Sequence, residues 1–190
     1  MVKAEDTPRF IGHIRTEASR LVMLIDHIIR LSQLDERLEP EPEPVDLLSL
    51  AKDEAASLAQ LAQTKNVTLT VEGEPVTIIG VRQLLHEIIY NLCDNAIKYN
   101  VNGGTVHIQV SKTEEGALLS IADSGIGIPL AHQDRIFERF YRVNKSHSKE
   151  TGGTGLGLSI VKHAVQYMGG SIHLTSIPGS GTTITIHFPT

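Results

Sequence analysis

A single cysteine, Cys93, stands among the 190 residues, so no disulfide can form within the chain, and a reducing, cytoplasmic setting is expected rather than a secreted one. Tryptophan is absent and aromatic residues make up only 4% of the sequence, although a hydrophobic content of 41% is ordinary for a chain that buries a real core. No apolar run approaches the roughly 20 residues that a membrane span requires, and no signal peptide is evident. These absences predict a soluble polypeptide with no membrane contact of its own. An excess of basic charge is missing too. The formal net charge of −5 gives no reason to expect a nucleic-acid surface. No internal repeat is evident, and the length suits one ordinary domain with an appendage.

The appendage comes first. Residues 8–35 read as one long helix in which Ile14, Ala18, Leu21, Ile25 and Ile28 alternate steps of four and three, the heptad spacing of a bundle or coiled coil. Phe10, Leu24, Leu31 and Leu34 widen the stripe, so residues 1–35 need a helical partner. Residues 36–44 run Glu-Arg-Leu-Glu-Pro-Glu-Pro-Glu-Pro; prolines spaced by glutamates forbid a helix and favour an extended, self-repelling linker.

Residues 45–190 form a compact alternation of helices and strands. A helix is expected over 47–62 with Leu47, Leu50, Ala51, Leu58, Leu61 and Ala62 inward, strands over 67–71 and 76–79, and a central helix opened by Gly80. Strands over 105–111 and 117–122 make a hairpin around Glu114-Glu-Gly116; a helix over 156–168 and strands over 171–176 and 182–187 complete the chain. The segment at about 129–153 carries little periodicity apart from a short helical piece at 130–137, and a loop of that length reads as a functional lid. Hairpin-connected strands mixed with helices indicate an α+β fold, a two-layer α/β sandwich with helices on one face of a mixed, mostly antiparallel sheet.

Four stretches carry chemistry. On the central helix Asn91, Asp94, Asn95 and Lys98 follow at steps of three and four and stack on one face, while Leu85, Ile88, Ile89, Leu92 and Ala96 form the apolar stripe that seats the helix. Asp123-Ser-Gly-Ile-Gly-Ile-Pro129 comes directly off a strand: it is either a tight turn or a strand end that presents a carboxylate to an exocyclic amine. Gly152-Gly-Thr-Gly-Leu-Gly-Leu158 precedes a helix, where backbone N–H groups suit phosphate. No strand stands before it, as a Rossmann turn requires, and no Gly-Lys-Ser/Thr ends it, as a Walker loop requires. Between these lies Arg135-Ile-Phe-Glu-Arg-Phe-Tyr-Arg-Val143, whose Phe137, Phe140 and Tyr141 are expected to dock the lid; its arginines either reach phosphate oxygens or make surface salt bridges.

Taken in order, these boxes and a terminal Pro178-Gly-Ser-Gly-Thr182 closely resemble the catalytic ATP-binding domain of sensor histidine kinases of two-component systems, members of the superfamily of gyrase, Hsp90, histidine kinases and MutL. The resemblance covers about residues 45–190 and implies the Bergerat-type ATP-binding fold. Residues 8–35, ending in Leu-Ser-Gln-Leu-Asp35, resemble the second helix of the dimerisation hairpin that precedes this domain. Position by position it implies Asn95 as the Mg²⁺ ligand with Asn91 beside it, Lys98 and Arg142 on phosphate charge, Tyr99 flanking adenine and Asp123 accepting from the adenine amine. It also implies Gly125, Gly127, Ile128 and Thr182 around the base, and Gly153, Thr154, Gly155, Leu156, Gly157 and Leu158 along the triphosphate. The catalytic set so implied is Asn91, Lys98 and Arg142. Hydrolases of the superfamily carry a glutamate where Asn91 stands, and an amide cannot act as a general base, so phosphotransfer is expected over hydrolysis.

Two departures stand out. The phosphoacceptor box, His followed by an acidic residue, a hydrophobic one and Arg-Thr-Pro, does not occur; His13-Ile-Arg-Thr-Glu17 lacks the acidic neighbour and the proline. The isolated chain is therefore expected to bind Mg-ATP without labelling itself, its γ-phosphoryl acceptor being a histidine on a hairpin helix elsewhere. Val81 stands after Gly80 where the family usually has an acidic residue, which predicts a weaker helix cap. The resemblance further implies a homodimeric parent that is an integral membrane sensor, with this part cytoplasmic and a response regulator receiver domain as onward partner.

Overall fold

The computed structural model describes residues 41–143 and 154–189. The expected helix over 8–35, His13, the first part of the linker and Gly153 lie outside the described residues. The chain runs β1 (Glu43–Asp46), α1 (Leu47–Thr64), β2 (Thr68–Gly73), β3 (Thr77–Gly80), α2 (Arg82–Lys98), β4 (Thr105–Thr113), β5 (Gly116–Asp123), α3 (Leu130–Gln133), α4 (Gly157–Tyr167), β6 (Ser171–Ile177) and β7 (Gly181–Pro189).

Five strands form the main sheet in the order β2-β4-β5-β7-β6, and β1 pairs with β3 in a separate ribbon. All pairings are antiparallel except β2 with β4. Strand alternation decides which face the helices cover. Val106, Ile108 and Val110 of β4, Leu119 and Ile121 of β5, and Ile184, Ile186 and Phe188 of β7 are buried with the helices. Their neighbours in sequence, such as His107, Ser120, Thr183 and Thr185, belong to the opposite face, so the sandwich has two layers, with α1, α2 and α4 supplying the second. The predicted stripe of α2 is the core: Leu85, Ile88 and Ile89 are fully buried, and Leu92 and Ala96 nearly so.

Local chemistry sets the helix ends. Asp46 caps α1, its Oδ1 accepting from the N–H groups of Leu48 and Ser49 at 2.9 and 3.2 Å. Val81 offers α2 no side-chain cap, as the departure at this position predicts. The head of α2 is fastened instead by Arg82, whose Nε donates to Glu43 Oε1 at 2.7 Å. That bond draws on β1, a strand missing from the sequence reading, which places Glu43 and Pro44 in an extended linker. Proline is compatible with such a ribbon, because an outer strand leaves one row of N–H groups unpaired.

Candidate functional site

The polar face of α2 is half-buried. Asn91 Nδ2 donates to Glu87 O, one turn back, at 2.7 Å. This fixes the amide and turns its oxygen outward to α4, where a β-carbon added at Gly157 would stand 2.7 Å from Asn91 Oδ1. Asn95 lies one turn on. Lys98 Nζ is ion-paired with Asp94 Oδ2 at 2.7 Å, which pins the lysine along the same face. With one N–H held by Glu87 O, the Asn91 amide presents its oxygen toward α4, and an amide oxygen is a donor suited to a hard cation. Among the described residues no three His, Cys, Asp or Glu side chains cluster for a metal ion. A divalent ion at this face would therefore draw on amide and phosphate oxygens, which fits the residues present.

At the other end Asp123 closes β5 directly opposite Thr182 of β7. Burial raises the Asp123 carboxyl above the ordinary aspartate range, and hydrogen bonds from the backbone N–H groups of Gly125 and Thr182 pull it partly back. The Gly125 bond, to Oδ1, is 2.8 Å. The loop after Asp123 is held on both sides. Ile126 N–H donates to Tyr99 O at 3.1 Å, and Ile126 O accepts from Gly179 N–H at 2.8 Å. Tyr99 is the C-cap of α2 and its side chain is substantially exposed. Gly125 is buried; Gly127 and Ile128 are half-buried, and Ile128 N–H donates to Ser176 Oγ at 2.8 Å.

Two anchors escape the sequence reading. Asn100 Nδ2 donates to Ala96 O and Thr105 O, both at 3.0 Å, while its Oδ1 accepts from Ser124 Oγ at 3.3 Å, binding the end of α2 to the residue after Asp123. Gln133 Nε2 bridges Ile128 O and Ser176 O at 2.8 and 2.9 Å. Asn100 follows directly on the Lys98-Tyr99 pair, a signal that could have marked it; nothing in the local pattern marks Gln133 or Ser176.

The described part of the segment after Pro129 differs from expectation. Its helical piece is shorter, Leu130–Gln133, and Phe140 is exposed instead of docked. Ile136 is the buried residue. Phe140 has φ +64°, and its N–H donates to Gly155 O at 2.9 Å, so backbone rather than ring ties this segment to the glycine loop. Tyr141 stays within the segment, bonded to His132 Nδ1 with the Arg135 guanidinium 4.3 Å above its ring. Arg135 also pairs with Glu138 at 3.2 Å, and Arg139 Nη2 lies 3.3 Å from His163 Nε2. Arg142 is half-buried. Thr154 Oγ1 accepts from Leu156 N–H at 3.3 Å; Leu156 is buried beside Ile160, and Leu158 packs against the main core. The fold thus brings Asn91 to Gly157, and Asp123 to Thr182, Gly125 and the Tyr99 backbone.

The comparisons decide the family. Residues 80–190 match the histidine kinase-, DNA gyrase B-, and HSP90-like ATPases. The chain belongs to this family. It is 39% identical over 184 residues to the sensor-like histidine kinase SenX3 of Mycolicibacterium smegmatis, covering 95% of this chain and 48% of that protein. The mycobacterial sensor histidine kinase MprB shares its fold with a TM-score of 0.66 at 31% identity, over 78% of this chain and 97% of that one. Full-length ShkA, in complex with AMPPNP, superposes with a TM-score of 0.82 at 26% identity, over 100% of this chain and 40% of that one. The chain therefore carries the catalytic ATP-binding domain of a histidine kinase and spans about half the length of the SenX3 it matches. No helix among the described residues is long and apolar enough to cross a membrane.

Proposed function

We propose that this domain binds Mg-ATP between α2, the Asp123 loop and the glycine loop before α4, and delivers the γ-phosphoryl group to a histidine on a dimerisation hairpin. The P–O bond to ADP breaks and a P–N bond to the imidazole forms, and the phosphoryl group passes on to a response regulator aspartate. The observation that carries the reading is the fixed Asn91 amide, whose oxygen meets the first turn of α4 at Gly157. An amide there can orient phosphate and metal but cannot take a proton from water, so transfer is favoured over hydrolysis.

Asn95 would hold Mg²⁺, with Asn91 beside it near the metal and phosphates, and the ion would supply neutralisation of phosphate charge. Lys98 and Arg142 add fixed positive charge, and Gly153, Thr154, Gly155, Leu156, Gly157 and Leu158 line the triphosphate with backbone N–H groups. At the base, Asp123 accepts from the exocyclic amine, Tyr99 flanks the ring, and Gly125, Gly127, Ile128 and Thr182 shape the pocket. The parent is a homodimeric membrane sensor, of which this part is cytoplasmic.

Calorimetric titration with Mg-ATP and Mg-GTP tests the site. ATP should bind in preference to GTP, Asn95→Ala should abolish the dependence on Mg²⁺, and Asp123→Asn should remove the preference. Equal affinities throughout would sink the assignment. Incubation with γ-labelled ATP should leave the chain unlabelled, whereas a separately added hairpin that carries the phosphoacceptor box should acquire phosphohistidine.

A further inference from the structure

Ser176 of β6 touches none of the residues assigned to catalysis, yet its hydroxyl is at the centre of the base end of the site. It faces Thr182 across the β6–β7 ladder, and Thr182 in turn faces Asp123 across β5–β7. Ser176 Oγ has three partners: Gly181 O at 3.0 Å, Ile128 N–H at 2.8 Å and Thr182 Oγ1 at 2.8 Å.

A serine hydroxyl has one proton to give and two lone pairs to receive. Gly181 O can only accept, so it takes the Ser176 proton. Ile128 N–H can only donate, so it fills one lone pair. The contact with Thr182 must then be made by the Thr182 proton entering the other lone pair. All three valences of Ser176 are used in this single arrangement, and any other leaves one unmade. Thr182 has consequently spent its hydroxyl proton on Ser176 and its backbone N–H on Asp123, and its hydroxyl offers acceptor lone pairs alone to the base pocket. Gln133 holds the frame rigid by bridging the carbonyls of Ile128 and Ser176 at 2.8 and 2.9 Å.

We infer that Ser176 is a specificity-determining positioning residue: by taking the Thr182 hydroxyl proton it makes Thr182 an obligate acceptor beside the Asp123 carboxylate, so that the base edge sees acceptors only. Adenine presents an amine donor at that edge and guanine a carbonyl acceptor, so the arrangement welcomes the first and repels the second. Discrimination of this kind rests on the unpaired group left by the wrong base more than on the bond made by the right one. The inference rests on the adenine-pocket reading above and adds to it the residue that fixes hydroxyl polarity.

The test compares the ratio of Kd for Mg-GTP to Kd for Mg-ATP in the parent, Ser176→Ala, Ser176→Thr, Thr182→Val and the Ser176→Ala/Thr182→Val double variant, with circular dichroism as the check on folding. Loss of the acceptor frees Thr182 to rotate and donate, so the ratio should fall about fivefold in Ser176→Ala, the size of one hydrogen bond. Ser176→Thr keeps the hydroxyl and should restore it. Thr182→Val should lower the ratio alone, and adding Ser176→Ala to it should change nothing further. Should Ser176→Ala not fold, Ser176→Cys retains the size but only a weak acceptor, and the ratio should fall likewise. A merely structural serine would weaken both nucleotides equally and leave the ratio unmoved, which overturns the inference, as does a fall that persists undiminished in the Thr182→Val background. Asp123→Asn separates the two levels. A lowered ratio there with none in Ser176→Ala defeats this inference alone, while no preference for ATP in the parent defeats the adenine reading beneath it.

Discussion

Asn91 and Gly157 meet across the gap between α2 and α4 so closely that a β-carbon on the glycine would lie 2.7 Å from the amide oxygen. Gly157→Ala must push the amide aside, because Asn91 is held from behind by its 2.7 Å bond to Glu87 O. Mg-ATP affinity should fall about tenfold, the loss of one good polar contact, while thermal stability stays near that of the parent. Calorimetry beside a melting curve checks both. Unchanged affinity would mean that the amide does not face the phosphates.

The second prediction concerns acid. Burial raises the Asp123 carboxyl, and protonation turns an acceptor into a donor. ATP affinity should drop on acidification with a midpoint above the ordinary aspartate range, and the step should be absent in Asp123→Asn. The sign for the nucleotide-free domain is opposite. A carboxyl with a raised folded pKa contributes most stability below its unfolded pKa and loses that contribution as pH rises through the folded value. At neutral pH, then, Asp123→Asn should melt higher than the parent while binding ATP more weakly. A variant that melts lower would contradict the burial account.

Gly179 and Gly181 sit in one turn yet should respond differently. Both have positive φ, +79° and +107°, but a β-carbon at Gly179 meets nothing within 4 Å, whereas at Gly181 it would stand 1.9 Å from Asp123 O. Gly179→Ala should cost only the left-handed backbone penalty, about 1–2 kcal/mol. Gly181→Ala should add an overpacking cost of about 1–3 kcal/mol and disturb the Asp123 strand end. Denaturant melts of the two variants measure the difference, and equal costs would count against the close approach.

Between α1 and α2, Glu54 is buried with Oε1 2.9 Å from His86 Nε2, and His86 is half in solvent. Burial raises the Glu54 carboxyl, His86 opposes the rise and Asp53 adds to it. His86→Ala should cost about 1–3 kcal/mol at neutral pH by stranding a buried acceptor, and little once Glu54→Gln is already present. The raised pKa also means that the parent loses this carboxyl's contribution as pH rises from the ordinary glutamate range through the folded value. Glu54→Gln should flatten that part of the stability curve, and urea melts across the window would expose a failure to do so.

Much of the fold is legible in sequence because burial imposes period. The alternation Val106, Ile108, Val110 against His107 and Gln109 declares both strand and face, and the α2 stripe declares helix and core. Asn91 and Asp123 stand out because their chemistry is conspicuous for their element. What stays hidden is set by pairing partners far along the chain. Pro44 reads as linker until β3 supplies a neighbour, and Ser176 reads as one hydroxyl among many in β6 until Gly181, Thr182 and Ile128 converge on it. Phe140 shows the converse: aromatic character suggests docking, but a positive φ and the Gly155 hydrogen bond decide where the ring goes.

Cys93 lies fully buried in α2, and its thiol is pushed up to about 12, first by burial and then by the Glu54 and Asp94 carboxylates. A thiol so placed is inert to maleimides at neutral pH. Since it is the chain's sole cysteine, a second one introduced at exposed Gln109 on the open sheet face would take a fluorophore or spin label alone, with no native sulfur to remove and the helix that carries Asn91 and Asn95 left untouched.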